Sequence, residues 1–342
     1  MFLQHLGATP VAVAQTRRVH FAKKLIDETD LPMTQVAMAS GFGSIRRFND
    51  TFQKLYGRTP GDLRRATARE RRGDEAGVYT FRLGYRPPYN WASMIGFLGP
   101  RAVPGVETIT LDEYRRSILL DGKSGFISVR PVAAKNLLEL RIEFPEPAAL
   151  FRIVERVRNI FDLRSDPAEV DGHLKKDSRL KRIVQAHAGM RVPGCWDGFE
   201  IGVRAILGQQ VSVKGATTMA GRLVTEFGRG NFPTAESLAD ADLARIGLTK
   251  ARANSIRELA SAVARGEVSF DASQGLEAFE EAMTNLPGIG PWTAQYVAMR
   301  IGEPDAFPAG DLYLRSFAKE AEAWRPWRAY AGMYIWSGSH LL

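Results

Sequence analysis

The chain has 342 residues, 45% of them hydrophobic, which is enough for two or three packed domains. Its 46 lysines and arginines exceed its 38 aspartates and glutamates, and the net charge of +8 favours an anionic partner. A single cysteine, Cys195, excludes a disulfide framework or a cysteine-ligated cluster; His5, His20, His173, His187 and His340 show no paired ligand spacing, so no metal site is expected. No apolar run is long enough to span a bilayer and no signal-peptide pattern opens the chain, so a cytoplasmic protein without a membrane partner is expected.

In chain order, Arg17 to Glu28 carries Val19, Ala22, Leu25 and Ile26 at helical spacing. Thr34 opens a short helix through Val36, Ala37 and Ala39, and Gly41 breaks it. Ser44 then caps a further helix in which Phe48, Phe52 and Leu55 face inward. Helix, tight turn and helix, with Gly41-Phe42 in the turn and Gly57-x-Thr59-Pro60 after it, resemble the second helix-turn-helix of the AraC-type regulators. The resemblance implies that the second helix enters the major groove, with Ser44, Ile45, Arg46, Arg47 and Asn49 as the DNA-binding candidates. Such domains carry two units, and only Met1 to Pro10 precedes the linker helix here. Phe2 and Leu3 look like the tail of a first recognition helix, so a longer Ada-like parent or a late start codon is expected. Ada's methyl-accepting sensor needs four cysteines, and the single cysteine excludes it. Arg64 to Arg72 is a charge run that reads either as a solvated linker helix or as a phosphate-binding arm, and Gly73 to Gly77 marks a boundary.

From Tyr79 the pattern turns to strands: Val78–Leu83, Val106–Ile109, Gly125–Val129 and Leu137–Ile142, with helices at Trp91–Phe97 and Pro147–Phe161. This is an α+β unit. After the Pro193-Gly194-Cys195-Trp196-Asp197 turn, helical spacing takes over. Helices are expected at 201–207, 214–227, 235–246, 250–265, 276–285, 291–300, 312–323 and 327–336.

Within that half, Leu286-Pro287-Gly288-Ile289-Gly290-Pro291-Trp292-Thr293 joins two helices through a Pro-Gly turn, and Pro291 suits the first position of the second helix. The N–H groups of Gly288, Gly290 and Trp292 cluster at a positive helix end, where a phosphate oxygen can dock without any base being read. Beyond the hairpin comes Asp311, which in isolation reads as a helix N-cap.

This hairpin, a Gly/Pro-rich loop and an aspartate at position 311 resemble the helix-hairpin-helix DNA glycosylase superfamily. The likeness extends from Tyr79 to the C-terminus, where the chain resembles the 3-methyladenine DNA glycosylase II (AlkA) family. It rests on Pro87-Pro88-Tyr89-Asn90-Trp91, Gly105-Val106-Glu107-Thr108, Arg204-Ala205-Ile206-Leu207-Gly208-Gln209-Gln210-Val211-Ser212, the hairpin, and Trp324-Arg325-Pro326-Trp327-Arg328. The implied fold class is multidomain α and α+β: a partial AraC-type helix-turn-helix with its linker (residues 1–72), an α+β accessory domain without catalytic residues (73–165), and an all-α helix-hairpin-helix glycosylase domain (166–342).

The resemblance implies that Asp311 is the catalytic acid, which does not conflict with its capping role. Gly288, Ile289, Gly290, Trp292 and Thr293 become the DNA-backbone hairpin. Relatives that also cut the backbone carry a lysine where this chain has Trp292, so no Schiff base forms and a monofunctional enzyme is expected. Trp292 and Tyr296 share a helix face and Trp336 joins them in the family's pocket position; the three are either core aromatics or a stacking pocket for a flipped base. Gln210 is either the wedge that fills the gap left by that base or a helix cap. No cofactor is implied, beyond a monovalent cation (Na or K) held by hairpin carbonyls with DNA. The expected partner is duplex DNA containing alkylated bases of the 3-methyladenine and 7-methylguanine type, and the expected state is a monomer. Two other functions are weighed: an Ada-like transcriptional regulator with an inactive or secondary glycosylase half, and an 8-oxoguanine or mismatch glycosylase, which Trp292 and the missing cysteine cluster disfavour.

Overall fold

The computed structural model describes residues 7–67 and 77–338. Phe2 and Leu3, the end of the charge run with most of the glycine boundary (68–76), and residues 339–342 lie outside them. Among the described residues the first unit has four helices, α1 (Pro10–Glu28), α2 (Met33–Ala39), α3 (Ile45–Tyr56) and α4 (Pro60–Thr67). Helix α1 starts earlier than the apolar spacing suggested, because the Thr9 hydroxyl accepts from Ala12 N and Pro10 fills the first position. Ser44 Oγ accepts from Arg47 N at 3.2 Å and so caps α3. Phe42, Phe48 and Phe52 pack as successive rings 5.2 and 4.9 Å apart, and this small core closes on Tyr56. Leu55, expected to face inward, is exposed, since the buried stripe steps by four through 48, 52 and 56. Ser44, Ile45, Arg46, Arg47 and Asn49 are all exposed along one end of α3.

The α+β unit is a five-stranded antiparallel sheet in the order β1-β5-β4-β3-β2. Its strands are β1 (Val78–Gly84), β2 (Glu107–Ile109), β3 (Tyr114–Leu120), β4 (Lys123–Val132) and β5 (Leu137–Glu143). Strand β3 was not legible, because Arg115 and Arg116 interrupt its apolar run. Helices α5 (Trp91–Leu98) and α6 (Leu150–Ile160) pack with the sheet in one core. A 3-10 turn at Pro147–Ala149 precedes α6, so the expected helix from Pro147 is shorter.

Strand β1 is an edge, and α1 lies along it. The Lys24 ammonium donates to Arg82 O and the Arg82 N–H donates to Glu28 Oε2 at 3.4 Å, so the outward backbone groups of Arg82 find side-chain partners in place of a sixth strand. Phe21 packs against Phe81 and Phe151, with centroids 6.3 and 4.9 Å apart. The helix-turn-helix is thus folded and fused into the core of the sheet.

The helical half begins before the Pro193 turn, with α7 (Pro167–Leu174) and α8 (Ser178–Ala186). It continues through α9 (Gly198–Leu207), α10 (Val213–Phe227), α11 (Ala235–Ala239), α12 (Lys250–Ala264), α13 (Leu276–Thr284), α14 (Pro291–Ile301) and α15 (Arg328–Gly338). Two expected helices are corrected. Residues 235–246 break after Ala239, because Asp242 accepts from Ala244 N and caps a separate 3-10 turn that ends at the left-handed Gly247. Residues 312–323 form no α-helix: turns lead into 3-10 segments Arg315–Phe317 and Glu320–Trp324. There, tertiary anchors override the helical spacing. Trp324 Nε1 donates to Asp177 Oδ2 at 2.8 Å, and Arg179 pairs with Glu320 at 3.1 Å, both ties to α8 and its cap.

Sheet and bundle are joined by four buried charges. Arg116 of β3 meets Glu200 of α9 at 2.7 Å, and Arg204, one turn on, reaches Glu200 at 2.9 Å and Glu107 of β2 at 3.2 Å. Tyr114 OH and Val103 N donate to Glu107 at 2.7 and 3.0 Å. Burial disfavours each charge, but the opposite charges outweigh it: Arg116 and Arg204 are held well above the usual arginine value, and Glu107 below the usual carboxylate value. Removing one member strands a buried cation. Glu107→Gln is expected to destabilise the fold by about 3–5 kcal/mol in chemical denaturation; a loss under about 1 kcal/mol, the range of exposed pairs, would show that the joint does not depend on it.

Candidate functional site

A cleft of about 1150 Å³ opens between the sheet unit and the helical bundle. It gathers Trp292, Tyr296, Trp336, Asp311, Gln210, Gly288, Gly290 and Thr293 from distant parts of the sequence, together with Phe97, Arg101, Arg204 and Arg300.

At the hairpin, Gly288 sits at φ +79 and a side chain there would collide with Ser255 of α12, so this position combines a left-handed turn with close helix contact. Gly290 is the N-cap of α14, and Pro291 follows at its first position. The N–H groups of Gly288 and Gly290 have no acceptor among the described residues, and both residues are exposed. Ile289 instead turns into the core, at 4% exposure. Thr293 is also buried, and its hydroxyl accepts from Gln209 Nε2 at 3.1 Å. Of these two, only the backbone can reach a partner. Among the carbonyls expected to face a monovalent cation, Gly288 O accepts from Gln209 Nε2 at 3.0 Å and Leu286 O from Ile289 N at 3.2 Å, each retaining a second lone pair.

Gln209 therefore stitches the loop after α9 to the hairpin, and its own carbonyl is held by Arg252 Nη2 at 2.7 Å. The next residue, Gln210, is exposed in the left-handed region at φ +55, a conformation that costs a non-glycine residue about 1–2 kcal/mol. Ser212, not Gln210, caps α10, which removes the capping explanation for Gln210.

Trp292 and Tyr296 stack at 5.5 Å with planes 10° apart. Trp336 lies 6.5 Å from Tyr296 and 6.3 Å from Phe97 of α5. Trp292, Tyr296 and Trp336 are only partly buried and line the open cleft. Asp311 sits at the rim of this group. Its Oδ1 accepts from Trp336 Nε1 at 2.9 Å, Tyr313 N at 2.9 Å and Leu314 N at 3.4 Å. Oδ2 has no protein donor among the described residues. The carboxylate is thus oriented by one oxygen, and the other is left for a partner in the cleft. Its capping role coexists with this, on a turn rather than on the expected helix.

Phe97, Arg101, Arg204 and Arg300 were not singled out from the sequence. Arg204 stood inside a quoted motif with no role attached, and Arg300 was only the last residue of an expected helix. The α+β unit, expected to carry no catalytic residues, supplies Phe97 and Arg101 to the cleft wall.

Residues 1–66 match a helix-turn-helix domain, residues 80–197 the AlkA N-terminal domain, and residues 203–333 the HhH-GPD superfamily base excision DNA repair protein. The chain is 37% identical to the probable bifunctional transcriptional activator/DNA repair enzyme AlkA of Mycobacterium tuberculosis, over 97% of this chain and 72% of that protein. It is 34% identical to DNA-3-methyladenine glycosylase 2 of Escherichia coli, over 76% of this chain and 96% of that one. Among solved structures, the 3-methyladenine DNA-glycosylase of Archaeoglobus fulgidus superposes with a TM-score of 0.66 at 23% identity, covering 76% of this chain and 98% of that chain, which establishes the shared fold.

Gly288→Ala tests the hairpin geometry. It is expected to destabilise the protein by more than about 1 kcal/mol, measured by thermal unfolding, and Gly288→Ala with Ser255→Gly to recover only part, because the backbone angle stays unfavourable.

Proposed function

The chain belongs to the AlkA family of DNA-3-methyladenine glycosylases, and on that premise we propose that the cleft hydrolyses the N-glycosidic bond of alkylated bases in duplex DNA, with Asp311 as its catalytic acid. The observation that carries the assignment is the Asp311 carboxylate, held through Oδ1 by Trp336 and two backbone amides, beside a stacked aromatic pair. The protein is a DNA repair glycosylase of the base excision type.

The hairpin amides of Gly288 and Gly290, at the positive end of α14, suit a backbone phosphate. A phosphate held there leaves the base free to rotate out of the duplex, and Gln210, presented from its left-handed turn, occupies the gap. The extruded base enters the cleft and stacks against the aromatic rings that line it, Trp292, Tyr296 and Trp336. Methylation at purine N3 or N7 leaves a positive charge, which aromatic faces attract by roughly 0.5–2 kcal/mol and which weakens the bond to the sugar. As that bond breaks, the sugar becomes cationic at C1′, and the free oxygen of Asp311 stabilises the charge and accepts a proton from the attacking water. Trp292 offers no amine, so no Schiff base with the sugar forms there and the product is an abasic site. Asp311→Asn, which keeps a hydrogen-bond acceptor but loses the charge, is expected to lower base release by roughly 10²–10⁴-fold while methylated duplex is still bound. Equal release by the two proteins would remove Asp311 from the mechanism.

The exposed face of α3 supports a second DNA contact, through Ser44, Ile45, Arg46, Arg47 and Asn49. A promoter-reading role alongside repair is favoured by this folded, exposed unit. The double variant Arg46→Ala/Arg47→Ala is expected to weaken duplex binding and flatten its salt dependence by about one to two units of slope, in a titration against salt, with base release from saturating DNA unchanged.

A further inference from the structure

Two of the rings that wall the cleft each have a guanidinium over them. Arg101 Cζ lies 4.0 Å from the Phe97 ring centroid, and Arg300 Cζ lies 5.1 Å from the same ring and 5.7 Å from Tyr296. Arg300 is only 2% exposed; its Nη1 donates to the Tyr296 hydroxyl at 2.9 Å, its Nη2 to Gly194 O at 2.8 Å, and its Nε to Pro193 O. Arg101 donates to Phe97 O at 3.0 Å. Neither forms an ion pair among the described residues, whereas neighbouring Arg204 is neutralised by Glu107 and Glu200. A buried cation met only by carbonyls and a hydroxyl projects its charge instead of cancelling it. Tyr296 reports that field: burial alone would push its hydroxyl up, yet Arg300, Arg101 and Arg204 outweigh burial and hold it below the usual tyrosine value.

We infer that Arg101 and Arg300 act as an electrostatic sink for the departing base, so that the cleft is negative at Asp311, where the sugar becomes positive, and positive where the base gains electrons. The inference rests on the glycosylase reading of the cleft. When the C1′–N bond breaks, its electron pair stays on the base nitrogen; a water oxygen bonds to C1′ and its proton passes to the Asp311 carboxylate. A base alkylated at N3 or N7 arrives cationic and leaves neutral. An uncharged altered purine leaves as an anion and afterwards takes a proton from water. The two guanidinium groups favour both departures alike, since one electron pair moves onto the base in each, but they disfavour entry of a cationic base into the cleft, so their net effect is larger for the neutral base. This arginine pair therefore sets the ratio between release of neutral and of cationic altered purines.

The test is single-turnover base release from duplexes carrying one 7-methylguanine, which is cationic, or one hypoxanthine, which is neutral. For Arg101→Gln, hypoxanthine release should fall on the order of 10²-fold, while 7-methylguanine release falls by less than about tenfold, the equivalent of 1.36 kcal/mol. Arg300→Lys, which keeps the charge, should hold the ratio of the two rates close to wild type, and Arg300→Met should shift it as Arg101→Gln does, with circular dichroism reporting the fold. Equal losses on both duplexes, or a wild type that releases 7-methylguanine but no hypoxanthine, would overturn the inference and leave the glycosylase reading standing. No release of either base by the wild type would overturn that reading, and the inference with it.

Discussion

Four charges with almost no access to water, on Glu107, Arg116, Glu200 and Arg204, hold the sheet against the helical bundle. Two carboxylates against two guanidinium groups leave no net charge, and Glu107 takes further donors from Val103 N and Tyr114 OH, so the desolvation cost is met within the group. The arrangement also reaches the active cleft. Arg204 spends its other nitrogen on Arg101 O at 2.6 Å, which fixes the turn after α5 and so sets Phe97 and Arg101 against Tyr296. A joint between domains thereby becomes one wall of a pocket.

The rest of the site repeats that economy of shared contacts. One side-chain amide, Gln209, binds both the hairpin carbonyl and the Thr293 hydroxyl, so the loop that presents Gln210 cannot move independently of the hairpin turn. Trp336 is both a pocket ring and the donor that orients Asp311. At the other end of the chain, α1 supplies the helix-turn-helix core on one face and seals the β1 edge with Lys24 and Glu28 on the other. Burial lowers the Lys24 value and raises that of Glu28, outweighing the attraction between the two at 3.6 Å.

Local chemistry made much of this legible in the sequence. Proline at a first helical position, glycine where a left-handed angle is required and serine at a cap announce themselves without tertiary information, and Pro291, Gly288 and Ser44 were found that way; the spacing of Trp292 and Tyr296 left core packing and a pocket open, and the family resemblance implied the pocket. Residues whose meaning comes only from a distant partner were hidden. Strand β3 was missed because Arg116 is a charge at a buried position, which makes sense only once Glu200 faces it. Phe97 and Arg101 belong to the cleft because the four-charge joint brings α5 to α14, and no local pattern records that. The 312–323 segment misled for the opposite reason: its spacing is helical, but Asp177 and Arg179 claim Trp324 and Glu320.

The central claim is that Asp311, beside an aromatic cleft without an amine nucleophile, releases an alkylated base and leaves the sugar-phosphate chain whole. It is tested most directly by mass analysis of the products from a duplex carrying a single 7-methylguanine, in the presence of borohydride. The account predicts free 7-methylguanine, an intact abasic strand and no protein trapped on DNA. Strand scission without alkali, a trapped covalent adduct, or bound duplex with no base released would contradict it.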